Sequence, residues 1–347
     1  MSDTPANTRR RKLFVHIGMH KTGTTSIQKY YARNYEAALR RGLLFPRAAA
    51  YDDHHFPLAL LTTTPERRAT LCNGVAPHVV QLLGSRPDKE VLEECLAEMA
   101  AHSDKDALIS SEAFSLLQPD EVEKLCSFFP EREICPIVFI RNFNDFAVSF
   151  YYTYLTFAMG VLPLEACRVE KVFPLDCVVL AERWARYAAD GRTQVCSYDE
   201  ILRHSGSIIG HFSNLIQSTN QLPAPIPVAR ENTSIAPYGL VLIRELRKAG
   251  VAEAEISKFV EQVRFLPAAE AQSLLPDNYR KRLESDYALQ IEALKKAAFV
   301  KGGEQLPSSV ETAPAQKSVY ITGWSSAILA LGRALSKKHL LDSSPAK

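Results

Sequence analysis

Residues 13–28 read LFVHIGMHKTGTTSIQ, an apolar run that passes through a short polar loop into the start of a helical pattern. Leu13, Phe14, Val15 and Ile17 suit a buried strand. In loops that hold nucleoside triphosphates the order is Gly, four residues, Gly, Lys, then Ser or Thr. Gly18 and Gly23 keep that spacing, but the lysine stands at Lys21, before the second glycine, and Thr24 follows it. Glycine at both positions lets the backbone wrap closely round an anion. The amides of residues 22–26 open a helix, where the dipole also favours negative charge. Thr22, Thr24, Thr25 and Ser26 add hydroxyls and Lys21 adds a cation. A helix cap needs one hydroxyl and no lysine, so the stretch reads as an anion cradle.

Working outward, strand-like and helical segments alternate, which predicts an α/β fold with a doubly wound parallel sheet. The first strand is expected at about 12–17 and its helix at about 24–41, followed by a return strand closed by Pro46. Residues 47–75 read as irregular, and a helix over Lys89–His102 takes Asp88 as its N-cap. Ala107-Leu108-Ile109 leads into Ser110-Ser111-Glu112, and Pro119 and Asp120 open another helix. ICPIVFI (134–140) is continuously apolar, as a buried parallel strand should be, and stops at Arg141-Asn142. A long aromatic helix follows (143–158), then one carrying Leu180, Trp184 and Tyr187, then strand, turn and helix over 193–202. From these patterns residues 1–11 form a disordered tail and 12–236 the α/β domain. Residues 237–300 form a helical extension of it, approached through Pro223, Pro225 and Pro227; residues 301–347 are a loose tail with a short helix.

A formal net charge of +2 over 347 residues is nearly neutral and implies no polycationic surface for nucleic acid. The run Arg9 to Lys12 reads as a solvated tail. Seven scattered cysteines show no CxxC pair and no metal spacing, which fits reduced thiols in a cytoplasmic protein. The N-terminus is polar and carries no signal peptide pattern. No stretch reaches the ~18 apolar residues of a spanning helix. The short run Ile321 to Leu331 reads as a docking or interfacial helix and leaves peripheral membrane contact open.

A second site is expected at Arg141, just past the carboxyl end of a central strand, where open α/β sheets bind ligands. Ser149 stands eight residues on and, at 1.5 Å per residue, ~10 Å along the axis from the helix start. It shares an anion with Arg141 only if the connection folds back; otherwise it is a packing serine bonded to a carbonyl one turn earlier.

HKTGTTS followed by VFIRNFNDFAVSFYY (138–152) resembles the paired signature of the PAPS-dependent sulfotransferases, whose donor is 3′-phosphoadenosine 5′-phosphosulfate. VCSYDEIL (195–202), the preceding LAERWARYAADG (180–191) and RENTSIAPYGL (230–240) are similar to further segments in the same order. The resemblance covers roughly residues 12–250 and implies a P-loop-type α/β fold. It implies that Lys21, Thr22, Gly23, Thr24, Thr25 and Ser26 grip the 5′-phosphosulfate, and that Arg141 and Ser149 grip the 3′-phosphate. The late glycine-rich basic segment of cytosolic aryl and steroid members is missing, and His20 stands where they commonly carry proline. Both departures point to the bacterial or carbohydrate branch, hence to a glycan, glycolipid or small-molecule acceptor.

Sulfuryl transfer needs in-line positioning, charge stabilisation on the leaving oxygen and a base for the acceptor. Lys21 is the expected cation, with no metal required. Glu112 is the expected base, at the end of LISSE and, by resemblance, where cytosolic members carry a catalytic histidine. A capping or salt-bridged glutamate is the alternative there. His55, in DDHHF on a loop expected to be flexible, is the rival base, ahead of His54. A P-loop kinase using ATP and an inactive binding protein of the same fold are the competing readings.

Overall fold

In a computed structural model, residues 10–19, 21–72, 87–156, 169–171, 175–216, 237–248, 250–263 and 275–308 are described. The opening run forms β1 (Arg11–Gly18), and the loop after it leads into α1 (Thr24–Arg33) and α2 (Tyr35–Arg40). Then come β2 (Leu43–Leu44), α3 (Phe56–Leu61), α4 (Pro65–Leu71) and α5 (Asp88–Ala101). β3 (Asp106–Ser111) runs into a 3-10 turn (Glu112–Leu116) and α6 (Pro119–Ser127). β4 (Arg132–Ile140), α7 (Phe143–Thr156), α8 (Cys177–Ala185) and β5 (Thr193–Ser197) follow. α9 (Tyr198–Ser205), α10 (Ile208–Ile216), α11 (Pro237–Lys248), α12 (Glu253–Val263), α13 (Asp277–Lys296) and β6 (Val300–Lys301) complete the order.

The six strands make one sheet in the order β2-β3-β1-β4-β5-β6, and every pairing is parallel. β1 is the centre, with Gly18 opposite Phe139 of β4 and Ile17 opposite Ser111 of β3. The inner halves of β1, β3 and β4 are buried without alternation, as helices on both faces require. The chain leaves β1 toward β2 on one side and leaves β4 toward β5 on the other. The crevice between the carboxyl ends of β1 and β4 is therefore a topological switch point, where such sheets place ligands.

Several elements differ from expectation. The helix expected over 24–41 is two, because Asn34 turns its side-chain amide back onto the Tyr30 carbonyl (2.9 Å) and ends α1. The stretch 47–75 is not irregular throughout, since it contains α3 and α4. Asp88 is the first residue of α5, and Pro87 occupies the cap. β6 adds a strand pair that no apolar pattern announced, through two residues beside β5. The proline approach at 223–227, the run at 321–331, His20 and most of RENTSIAPYGL lie outside the described residues.

The chain divides into two compact units. The first, residues 1–143, 170–229 and 285–310, contains the sheet. The second, residues 144–169, 230–284 and 311–347, is helical where described. Its apolar core includes Phe146, Phe150, Leu155, Ile243, Ile256, Phe259 and Leu283. Inside it, Asn144 donates to buried Glu284 (3.2 Å), which also pairs with Arg280 (2.9 Å). No described helix is long and apolar enough to cross a membrane.

Candidate functional site

The loop after β1 is tight because two of its threonines face inward. Thr22 Oγ1 donates to the Met19 carbonyl (2.6 Å) and lies 3.4 Å from Thr24 Oγ1, and both threonines are buried. These two hydroxyls shape the loop, whereas Thr25 and Ser26 remain half-exposed. A Cβ at Gly18 would stand 2.2 Å from Thr24 Oγ1, so only glycine fits there. Lys21 (φ 68°) and Gly23 (φ 79°) both take the left-handed conformation, which strains any residue other than glycine. A non-glycine residue held there marks over-determined geometry of the kind found at functional sites. Gly23 caps α1 without a side-chain hydrogen bond. Among the described residues nothing accepts from the Thr24 or Thr25 amides, so the helix opens with free donors.

Arg141 follows β4 and reaches this loop directly. Its guanidinium Nη1 donates to the Lys21 carbonyl (2.8 Å), across the β1/β4 switch point. Asp199, at the start of α9 after β5, holds the same arginine from the other side, with Oδ1 3.9 Å from Nε. Asp199 Oδ2 also accepts from the Asn142 amide (2.7 Å), and the Arg141 guanidinium lies 5.1 Å from the Tyr198 ring centroid. Arg141 Nε is buried and has no hydrogen-bond partner among the described residues. The carboxylate of Asp199 lies at ion-pair distance from this N–H and fixes the orientation of the guanidinium.

Glu112 stands at the end of β3, where the Ser111 hydroxyl caps the 3-10 turn by accepting from the Ala113 amide (3.2 Å). Its carboxylate acts on Lys21. Burial is the largest influence and lowers the Lys21 ammonium from its ordinary value, Glu112 raises it, and Arg141 lowers it. Glu112 also acts on His54, on the opposite side from Lys21 in the strand order.

Beneath these groups Ser110 is a polar hub. Its hydroxyl meets His16 Nδ1 (2.8 Å) and accepts from Gln28 Nε2 (3.2 Å). Its carbonyl accepts from the His55 amide (2.9 Å), and its own amide donates to His55 Nδ1 (3.1 Å). His55 Nε2 then donates to the Pro46 carbonyl (2.9 Å). Fully buried, with both ring nitrogens engaged, His55 is a core pin and not a mobile base. Burial holds its pKa down to about 4, against the opposing pull of its backbone partners Pro46 and Ser110. The expectation of a flexible loop here is corrected for the same reason. His16 is also fully buried, against Phe139 and Phe212, and desolvation pushes it down to about 3.

Thus Lys21, Glu112 and Arg141 act on one another at the carboxyl ends of β1, β3 and β4, and Thr25 and Ser26 lie in the first turn of α1 that follows the same loop. Ser149 lies on α7, half-buried, in the second unit. Sequence reasoning missed Asp199 and Tyr198 as partners of Arg141 and of the Gly23 turn, where the Tyr198 ring comes within 3.1 Å of a Cβ built on Gly23. The SYDE segment was visible, but its role depends on β5 lying next to β4. Comparison with known protein families, curated proteins and solved structures finds no match for this chain.

Proposed function

We propose that this protein is a sulfotransferase of P-loop-type fold that takes 3′-phosphoadenosine 5′-phosphosulfate as donor and an acceptor hydroxyl or amine as nucleophile. The observation that carries the reading is the junction of Arg141 with Lys21. It joins a lysine-bearing glycine loop, an uncapped helix N-terminus and a strand-end arginine at one switch point. The residues fit an anionic donor, since free amides open α1 and the cationic Arg141 is bonded to the backbone of cationic Lys21. A Walker lysine after Gly23 is missing, which disfavours an ATP-dependent kinase.

In this reading the Thr24 and Thr25 amides and the Thr25 and Ser26 hydroxyls hold the 5′-phosphate. Lys21, kept ionised in part by Glu112, stabilises charge that grows on the leaving oxygen. Bound donor supplies an activated sulfuryl group. Glu112 takes the proton from the acceptor, and Arg141, fixed by Asp199, steadies donor phosphate. Ser149 enters as a 3′-phosphate ligand through the sequence resemblance alone. A glycan or glycolipid acceptor rests on that resemblance too, as does a cytoplasmic location.

The test is thermal stabilisation by 3′,5′-adenosine bisphosphate against ATP with magnesium, followed by sulfuryl transfer from the donor. At a hundredfold excess over its dissociation constant the bisphosphate should stabilise by about 2.7 kcal/mol. A shift with ATP and magnesium alone would overturn the assignment. Binding without turnover on any acceptor would favour an inactive binding protein.

A further inference from the structure

The strand order sets out the polar groups of the crevice in a row. Arg141 follows β4, Lys21 follows β1, Glu112 follows β3, and the loop carrying His54 follows β2. Neighbouring strands therefore bring Arg141 to Lys21, Lys21 to Glu112 and Glu112 to His54, and each of these neighbours acts on the next. His54 is the outer end of the row, on the side away from the β1/β4 anion site.

His54 is held there by a turn of unusual backbone. Tyr51 and His54 exchange both backbone hydrogen bonds (2.8 and 3.0 Å) across Asp52 and Asp53, and both aspartates have positive φ (45° and 69°). That is the two-residue hairpin geometry that favours Gly or Asn; two aspartates occupy it at a cost in strain. The next residue, His55, is locked to Ser110, two residues before Glu112. The turn is thus fixed at its tip by its own pairing and at its base by β3.

The ring of His54 has a defined role in hydrogen bonding. The Phe56 amide donates to Nδ1 (3.3 Å), so Nδ1 is the acceptor nitrogen and the proton of the neutral ring sits on Nε2. Among the described residues nothing accepts from Nε2, and His54 is half-exposed. Burial lowers its pKa, with Glu112, Asp52 and Asp53 opposing, and Nε2 carries a proton in this tautomer and in the charged ring alike. Phe45 packs on His55 at the base of this loop, and the rings of Tyr51 and Phe56 flank that of His54.

We propose that His54 is an acceptor-binding residue: its Nε2–H donates to an oxygen of the acceptor molecule, which enters from the β2 side and meets Glu112 between His54 and Lys21. This rests on the sulfotransferase reading for the identity of the acceptor, a neutral hydroxyl compound such as a glycoside. It assigns His54 a binding role and not that of base, because the nitrogen that would take a proton already accepts from Phe56.

Three measurements on the full chain test it. Long-range nitrogen–proton spectra of histidine-labelled protein at neutral pH should show His54, assigned by its loss in His54→Gln, protonated at Nε2; protonation at Nδ1 would overturn the proposal. Titration with a panel of neutral para-nitrophenyl glycosides should move the His54 ring signals and leave those of buried His16 and His55; no movement with any of them would overturn it. With a glycoside that is sulfated, His54→Ala should raise the acceptor KM about tenfold, the loss of one hydrogen bond of ordinary strength. kcat and bisphosphate affinity should hold, and His54→Gln, whose amide places an N–H near the Nε2 position, should recover the parent KM. An unchanged KM in His54→Ala, or no recovery in His54→Gln, would overturn the assignment. Failure of the parent protein to bind bisphosphate would instead overturn the transferase reading, and the two spectroscopic measurements would still decide His54.

Discussion

Lys21 occupies a left-handed backbone position (φ 68°) while its carbonyl is fixed by Arg141. Its strain is local, and its side chain is not part of the loop's internal bonding. Lys21→Gly should therefore match or exceed the parent in thermal stability, because glycine enters that conformation freely. Transfer should nevertheless be lost, with activity and Tm measured on the same preparation. A large fall in Tm would show that the lysine side chain, and not the backbone, holds the loop. Gly18→Ala is the converse case. Its Cβ collides with Thr24 Oγ1, and the overpacked loop should lose roughly 1–3 kcal/mol together with bisphosphate binding, read by urea unfolding and calorimetry. The displaced lysine and the paired glycines are legible in one short stretch of sequence. The bond from Arg141 to Lys21 is not, because it joins residues that only the pairing of β1 with β4 brings together.

At the scale of elements, apolar runs decided most strands, since β1, β3 and β4 are buried on both faces and need no alternation. β2 and β6, two residues each, carry no period to detect. The break at Asn34 depends on a side chain competing with the helix ladder, which hydrophobic spacing does not register. The hub at Ser110 was equally hidden, although its histidines, serine and glutamine were all in view. It ties β1, α1 and the loop before α3 to the end of β3. Ser110→Ala removes the hydroxyl that meets both His16 and Gln28 and leaves His16 Nδ1 buried without it. The expected loss is about 1–3 kcal/mol, the cost of an unsatisfied buried polar group. Urea unfolding measures it. Because Glu112 lies two residues further on, the same variant should lower kcat more than it changes donor affinity. A fall in donor affinity with kcat intact would mean that the hub supports the α1 side of the crevice instead.

For the whole molecule, strand order decides what the chain can do. The alternation of segments predicted a parallel α/β sheet, but nothing in the pattern states that β1 lies between β3 and β4. That arrangement makes the carboxyl edge a single row of charged and polar groups above a core that holds two neutral histidines. His16 and His55 connect that core to acid stability. Both are depressed in the folded protein, to about 3 and about 4, whereas in the unfolded chain a histidine titrates near 6.5. Below about pH 6.5 the unfolded state binds protons that the folded state refuses, so stability falls as pH falls. The loss begins at the unfolded value and continues until each folded value is passed, at about 4 for His55 and about 3 for His16. Between pH 7 and pH 5 each histidine should remove about 2 kcal/mol. The two share Ser110, so their effects need not add. Urea unfolding at the two pH values measures the loss. His55→Gln lowers stability at neutral pH, but it should flatten the dependence by nearly one proton, because an amide does not titrate. An equally steep dependence in that variant would place the acid sensitivity in the surface carboxylates and leave the buried histidines without a part in it.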